Sequence, residues 1–495
     1  MRNGMLILLT IVEGALPFLR SVLIARMLSP SDFGVTVALA IALTLPEMVL
    51  ELGFDAQAVK AAIDDDDPKA LPTLQTLAIV RSTLGAGLLA IAAPFFFAGM
   101  DAELSPLVLT LLLTSVWLRG FSNLGFKALM ARGAYLPDAT LMAAVQLIWT
   151  VGCVAWAIFD PRPLSVAVGM LLATCVQVVV GFRLAAIPFR AGFSRVSAVQ
   201  AIRFGLPLLP NGILLGMVAQ GDRLVVGGIL GASSLAVFSA VLTLCMTPRA
   251  LMIKLLNNIA LPQFLRSTRD AREFDKASRL WLASLALIAA LFSIGFICFG
   301  ALLTRTLFGV QYAPTQIVVV LVGLSTYCRF LFGLLIPVAM SLNRTGYVLR
   351  QTCMSLAALL FGSFALLIEG SIESFFAGAL VGDLVVLVFV LWSAISSFRF
   401  PAPRAIILAC GGLIFVSVAA AATLSFPSSF AVSFVVCGCL TVLLIAITTE
   451  ILRRSGVSRR DMIAFWSVGG RDTRLAEQGA ASSRAQDDYG AKVET

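Results

Sequence analysis

Leu28-Ser29-Pro30-Ser31-Asp32-Phe33-Gly34-Val35, running on to Pro46-Glu47, returns later as Leu230-Gly231-Ala232-Ser233-Ser234-Leu235-Ala236-Val237, running on to Pro248-Arg249. Leu28 matches Leu230, Ser31 matches Ser233, Val35 matches Val237 and Pro46 matches Pro248, so one register holds across a turn and most of a helix. Further along, Arg132-Gly133-Ala134-Tyr135 is echoed by Arg344-Thr345-Gly346-Tyr347. Both copies lie in apolar surroundings and both carry charges. A duplicated membrane chain whose halves enclose intramembrane charges is the usual layout of a transporter for a polar or charged cargo.

The composition sets the class. Of the 495 residues 59% are hydrophobic and 13% charged, and the mean hydropathy is +0.97. Soluble domains hold about 45–50% apolar and about 25% charged residues. The sequence therefore predicts an all-α integral membrane protein with about fourteen transmembrane helices of roughly 20 residues each. Two pseudo-symmetric six-helix lobes are expected, an N-lobe over 1–187 and a C-lobe over 204–396, with a helix pair appended over 403–452. An amphipathic cytoplasmic linker over 188–203 alternates apolar residues with Arg and is expected to lie along the membrane surface. The stretch 453–495 reads as a cytoplasmic tail, disordered at its end, where Gly, Ala, Ser, Gln and mixed charges replace the apolar runs.

A net charge of +9 would suit a nucleic-acid binder, but its placement argues against that. Arg and Lys gather in alternate loops, such as Lys127 and Arg132, Arg266 to Arg279, and Arg453 to Arg460; the opposite loops are short and carry Asp101, Glu103, Glu369 and Glu373. This asymmetry predicts a multi-pass membrane protein with both termini in the cytoplasm and no nucleic-acid partner. The first apolar segment holds Glu13, Arg20 and Arg26 and leads straight into a second span, which does not resemble a cleavable signal peptide. Nine Cys are scattered through the spans, and Cys437-Gly438-Cys439 has no His anywhere to complete a metal site, so they read as packing residues. The run Asp64-Asp65-Asp66-Asp67 before Pro68 reads as a solvated loop capping the next helix.

The charges within the spans are the candidate site. An ionised side chain at mid-span costs about 2.5–3.5 kcal/mol on insertion scales, so it needs a partner, a wet cavity or a ligand. Arg20 lies eight residues before Leu28, and Asp222 and Arg223 lie eight and seven residues before Leu230. The repeat thus brings them to nearly equal depth, about 12 Å below the helix ends. Arg249 follows Pro248 where Glu47 follows Pro46, and Arg329 lies within the tenth span. Arg20, Arg26, Arg223, Arg249 and Arg329 are the candidate substrate-binding residues, because guanidinium forks match phosphate oxygens. Glu13, Glu47 and Asp222 are candidates for coupling or gating. The competing structural reading makes Glu13–Arg20, Glu47–Arg249 and Asp222–Arg223 pairs that lock the lobes. Arg26, near the helix end, can also snorkel to the interface. No cofactor or metal is expected; a Na⁺ or H⁺ gradient is a candidate coupling source.

Arg20 to Arg26, the Leu28-Ser29-Pro30 to Gly34 turn, Glu51 to Phe54, Phe204 to Pro207 and Gly221 to Leu224 resemble the polysaccharide-biosynthesis flippases. These form the Wzx-like and polysaccharide-transport branch of the MOP superfamily, and the resemblance covers roughly residues 1–400. It implies alternating access by two lobes, open to the cytoplasm and the outer leaflet in turn. The implied cargo is an undecaprenyl-diphosphate-linked oligosaccharide for exopolysaccharide or O-antigen-type synthesis. The family's cationic lumen maps onto Arg20 and Arg26. A polysaccharide polymerase and export machinery are implied neighbours, with a monomeric transport unit. Lipid II flippases of the same superfamily use a last helix pair as a lipid-facing groove, which implies a tail-holding role for 403–452. Two alternatives remain. A cation-coupled multidrug exporter of the same superfamily would use Glu13 and Glu47 but conflicts with the excess of intramembrane Arg. A membrane sugar polymerase or ligase would need larger external loops than this chain offers.

Overall fold

The computed structural model describes residues 2–63, 68–102, 104–131, 134–185, 187–267, 270–398, 402–425, 438–443 and 445–446. The Asp64–Asp67 run, Glu103, the Arg132-Gly133 pair, most of the final expected span and the 453–495 tail lie outside the described residues. The described residues form helices and no strand. In chain order these are α1 (Arg2–Met27), α2 (Pro30–Val49), α3 (Phe54–Ile63), α4 (Ala70–Gly99), α5 (Pro106–Arg119), α6 (Ala128–Ala131), α7 (Leu136–Phe159) and α8 (Pro163–Leu184). There follow α9 (Arg195–Gly205), α10 (Leu209–Ser267), α11 (Ala271–Leu307), α12 (Gln316–Phe332), α13 (Ile336–Ser341), α14 (Thr345–Glu369), α15 (Ile372–Ser396) and α16 (Ala402–Ser425).

Ten of the described helices are long and apolar enough to cross a membrane, and Pro106–Arg119 and Cys410–Ser425 are shorter apolar helices. The protein is therefore a multi-pass membrane protein, although the expected fourteen spans are not counted out. One of the ten is double. α10 runs for 59 residues, about 88 Å if straight, against a hydrocarbon core about 30 Å thick. It doubles back at Gly231, whose φ of 83° and ψ of 177° suit only glycine. Gly231 is the one non-helical residue here, and helix resumes at once after it. The tenth expected span breaks into α12 and α13. α5 ends at Arg119 and is followed by a short turn of 3₁₀ helix at Leu124–Phe126.

Proline starts several of these helices at low cost, since an N1 position needs no N–H. Pro30, Pro106 and Pro163 do so, and the Ser29 hydroxyl accepts from the Asp32 N–H to cap α2. Pro17, Pro46, Pro94 and Pro248 lie inside helices, where each removes a ladder bond.

α1, α2, α4, α5, α7 and α8 pack among themselves, as do α11, α12, α14, α15 and α16, while α10 touches both sets. α2 lies along the first arm of α10. The closest approach is where the two arms meet, at Gly34, whose β-carbon, if it had one, would sit 1.9 Å from the Ala232 carbonyl oxygen. Backbones approach this closely only through small residues. Gly34→Ala is expected to lower the thermal unfolding midpoint by several degrees, because overpacking costs about 1–3 kcal/mol; an unchanged midpoint in detergent would show that this seam yields freely.

The two faces of the bundle differ. The face holding the Leu28–Pro30 turn has short connections; the opposite face has long ones. On the short-loop face the Arg26 Nε donates to the Leu307 carbonyl at 2.6 Å and Nη2 donates to the Thr306 carbonyl. These carbonyls end α11 and have no helical partner. Around them Phe18, Phe33, Phe308 and Tyr312 form an aromatic cluster, with Phe18–Phe308 and Phe33–Tyr312 edge-to-face, and the Tyr312 hydroxyl donates to the Leu28 carbonyl at 3.5 Å. On this face α1 and α2 are tied to the end of α11 and the connection that follows it.

On the long-loop face α9 begins at Arg195, later than the linker start expected at 188. It is docked: Ser197, Ala198, Ala201 and Gly205 are buried, the Gln57 amide donates to the Ala201 carbonyl at 3.4 Å, and the Ser194 N–H donates to the Thr73 hydroxyl at 3.1 Å. Val196, Val199 and Ile202 remain exposed. Nearby, Lys127 bridges Asp138 at 2.9 Å and Asp55 at 3.6 Å, tying α3 to α7. Burial opposes its charge, but the two carboxylates outweigh that and raise its pKa above the ordinary lysine value.

Candidate functional site: a cationic cavity between the halves

Arg20 of α1 and Arg223 of α10 open onto one cavity of about 320 Å³. α7 contributes Gln146 and Trp149, α2 contributes Thr36 and Thr44, and the second arm of α10 contributes Ser239 and Thr243. Each arginine is held by a neutral glutamine, Arg20 by one on α7 and Arg223 by one on its own helix. Arg20 Nη1 donates to Gln146 Oε1 at 3.1 Å, and Arg223 Nη1 donates to Gln220 Oε1 at 3.2 Å. The Arg20 guanidinium also lies over the Trp149 ring, 3.6 Å from its centroid, a favourable cation–π contact when desolvated. Among the described residues no carboxylate lines this cavity. Two cations without a counter-charge inside an apolar bundle are costly unless an anion joins them.

A second polar cluster lies within the C-terminal helices and has the opposite character. Asp383 of α15 is 1% exposed. Arg329 Nε donates to its two oxygens at 2.9 and 3.2 Å, and the Ser325 hydroxyl donates to Oδ2. Arg249 Nη1 donates to the Arg329 carbonyl at 3.2 Å, while its Nε is buried and has no hydrogen-bond partner among the described residues. Asp222 completes the lining of a cavity of about 110 Å³ with Arg249, Arg329 and Asp383. Two cations here face two acids. The two cavities thus differ in charge balance: the central one has two arginines and, among its described lining residues, no acid, while this one has two arginines and two acids.

The Polysaccharide biosynthesis protein family matches residues 23–317, more than half of the chain. The chain belongs to that family. Its fold is that of MOP-superfamily transporters. It superposes on lipid II flippase MurJ in an inward closed conformation with a TM-score of 0.61, 13% identity and coverage of 91% of this chain and 99% of that one. A multidrug resistance MATE family transporter in an inward-facing conformation gives 0.55 at 14% identity, covering 80% and 95%. A point mutant of the Vibrio cholerae MATE transporter VcmN gives 0.54 at 15%, covering 80% and 95%. A curated relative, the amylovoran biosynthesis protein AmsL of Erwinia amylovora, is 26% identical over 145 residues, which span 29% of this chain and 36% of that protein. The resemblance read from the sequence motifs is thus supported by the family match and the fold.

Within this family member the candidate residues divide into three places. Arg20 and Arg223 meet in the central cavity; Asp222, Arg249 and Arg329 belong to the C-terminal cluster; Arg26 spends its donors on α11 carbonyls at the short-loop face. Glu47 pairs with Arg119 at 2.8 Å, not with Arg249, because α2 turns that side chain toward α5. Glu13 lines neither cavity. Asp222 does not bridge the Arg223 guanidinium; its Oδ1 accepts from the Arg223 backbone N–H at 2.7 Å.

Sequence reasoning passed over Asp383, Arg119, Trp149, Gln146 and Gln220. Asp383 could have been noticed as a lone acid well inside the apolar run from Ile372 to Ser396. Gln220, three residues before Arg223 on one helix, could have been read as sharing its face; Gln146 and Trp149, far from Arg20 in the chain, carry no such signal.

Proposed function

We propose that this protein is a flippase that carries an undecaprenyl-diphosphate-linked oligosaccharide from the cytoplasmic to the outer leaflet of a bacterial inner membrane. One observation carries the reading: Arg20 and Arg223, from opposite halves, open onto one cavity whose described lining residues include no carboxylate. A diphosphate supplies the missing negative charge and accepts forked bonds from both guanidinium groups. The long-loop face is assigned to the cytoplasm on the excess of Arg and Lys in its connections, which puts both termini there. The tied short-loop face then fits a state that receives cargo from inside, with Arg26 as its latch. Opening that face would break the Arg26 bonds to α11 and part the Phe18, Phe33, Phe308 and Tyr312 cluster.

The C-terminal cluster is assigned to holding the helices and to coupling. Asp222 sits between the two cavities on α10, next to Arg223, so a Na⁺ or H⁺ gradient acting on the cluster would reach the cargo site through one helix. A multidrug exporter fits less well, because a cationic drug would meet two arginines and no acid among the described residues of the central cavity. A polymerase and export machinery are the partners such cargo would need.

Depleting the protein in its host and extracting polyprenyl-diphosphate-linked sugars tests this directly. One lipid-linked oligosaccharide is expected to accumulate on the cytoplasmic face and to clear on re-expression. No accumulation, together with new sensitivity to cationic drugs, would overturn the proposal in favour of the exporter.

A further inference from the structure

Arg20 and Arg223 are each committed to the protein at a single nitrogen. Arg20 Nη1 donates to Gln146, and Arg223 Nη1 donates to Gln220 and, at 3.4 Å, to the Ala219 carbonyl. Among the described residues no hydrogen bond engages Nε or Nη2 of either side chain, and unlike the Arg249 Nε these atoms are not closed off from water. Nε and Nη2 make up one edge of the planar guanidinium, an edge that fits two oxygens of one anion. The buried Trp149 ring covers one face of the Arg20 guanidinium and adds no charge. Among the described residues, then, every group that holds these two arginines is neutral. Arg329 shows the alternative in the same molecule. Its Nε donates to both oxygens of Asp383, so a carboxylate already sits where an anionic ligand would have to bind.

We infer that Gln146 and Gln220 keep the central cavity selective for anions: each fixes its arginine through a neutral acceptor and leaves the Nε–Nη2 edge to the cargo. This rests on the flippase reading and adds the residues that set which charge the site accepts. Glutamine and glutamate have nearly the same size and shape, and both accept a hydrogen bond from a guanidinium. They differ in what happens when an anion arrives. A carboxylate would cancel the charge of its arginine and hold it by a charge-assisted bond, about twice as strong as a neutral one. The cargo phosphate would have to displace it, and the displaced carboxylate would be stranded inside the bundle. The amide avoids both costs. It keeps the guanidinium in place while the site is empty and takes away none of its charge when the cargo enters. Gln146 and Gln220 are thus positioning residues that act through Arg20 and Arg223, and Trp149 assists the first by fixing the plane of its guanidinium.

The test measures binding of undecaprenyl diphosphate to the purified full chain in lipid nanodiscs. Gln146→Glu and Gln220→Glu each exchange an amide for a carboxylate of nearly the same shape beside one arginine. Either is expected to weaken binding at least about tenfold, with the unfolding midpoint unchanged or raised. Gln146→Met and Gln220→Met remove the acceptor but add no charge, and each is expected to stay within about threefold of wild type. A merely structural role would give the opposite order, because methionine loses the hydrogen bond that glutamate keeps. The inference is overturned if the glutamate variants bind as wild type does, if they lose binding only together with a lowered unfolding midpoint, or if the methionine variants lose as much. If wild type binds no undecaprenyl diphosphate, or Arg20→Met and Arg223→Met both leave its affinity unchanged, the flippase reading itself fails and the inference with it.

Discussion

Arg20→Ala and Arg223→Ala are each expected to slow transport of the lipid-linked sugar by about 10- to 100-fold. A hydrogen bond to a charged group contributes about 1.5–3 kcal/mol, and each factor of ten corresponds to about 1.4 kcal/mol. The two side chains come from different halves yet line one cavity, so they are expected to grip one diphosphate and to fail together. The double variant should therefore lose less than the product of the single losses. Lysine at either position keeps the charge but not the planar fork and should recover only part of the rate. Flux into proteoliposomes, normalised to folded protein, checks this. Wild-type flux in both alanine variants would remove the central cavity from the transport path. Neither variant should change the unfolding midpoint greatly, because each arginine is held by a neutral glutamine and its loss strands no opposite charge.

Asp383→Ala should do the reverse, damaging the fold before the transport step. Removing this carboxylate leaves Arg329 inside the bundle beside Arg249 with one acid, Asp222, to offset two cations. Breaking one side of a buried pair costs about 3–5 kcal/mol. A drop of several degrees in the unfolding midpoint, with less folded protein in the membrane, is the expected result. Replacing both partners, Asp383→Leu with Arg329→Met, should recover much of the loss, since well-packed apolar groups often match a buried ion pair in stability. If that paired variant is stable but does not transport, the cluster is needed for coupling as well as for packing. If Asp383→Ala unfolds like wild type, the pair does not hold α12 to α15.

These two outcomes separate two sets of arginines that look alike in the sequence. Arg20, Arg223, Arg249 and Arg329 all stand in apolar helices, and each is a reasonable phosphate ligand on that ground alone. Their neighbours distinguish them. Gln146 lies 126 positions from Arg20, and Asp383 lies 54 positions from Arg329. Periodicity along one helix cannot report such partners. Arg26 shows the same limit at the helix end, where the two α11 carbonyls it meets lie 280 and 281 positions away.

What the sequence by itself determined was the class and the plan: apolar runs long enough to cross a bilayer, the turn after Leu28 repeated at Leu230, and Arg20 and Arg223 at matching depths. These follow from local composition and helical rise, which act within a single stretch of chain. Only the tertiary structure decided which charges meet an opposite charge and which do not, that Glu47 turns to Arg119, and that Gln146 and Trp149 stand beside Arg20. The reason is physical. Burial, ion pairing and hydrogen-bond satisfaction belong to side chains brought together from distant helices, and the direction each side chain takes is set by how those helices pack.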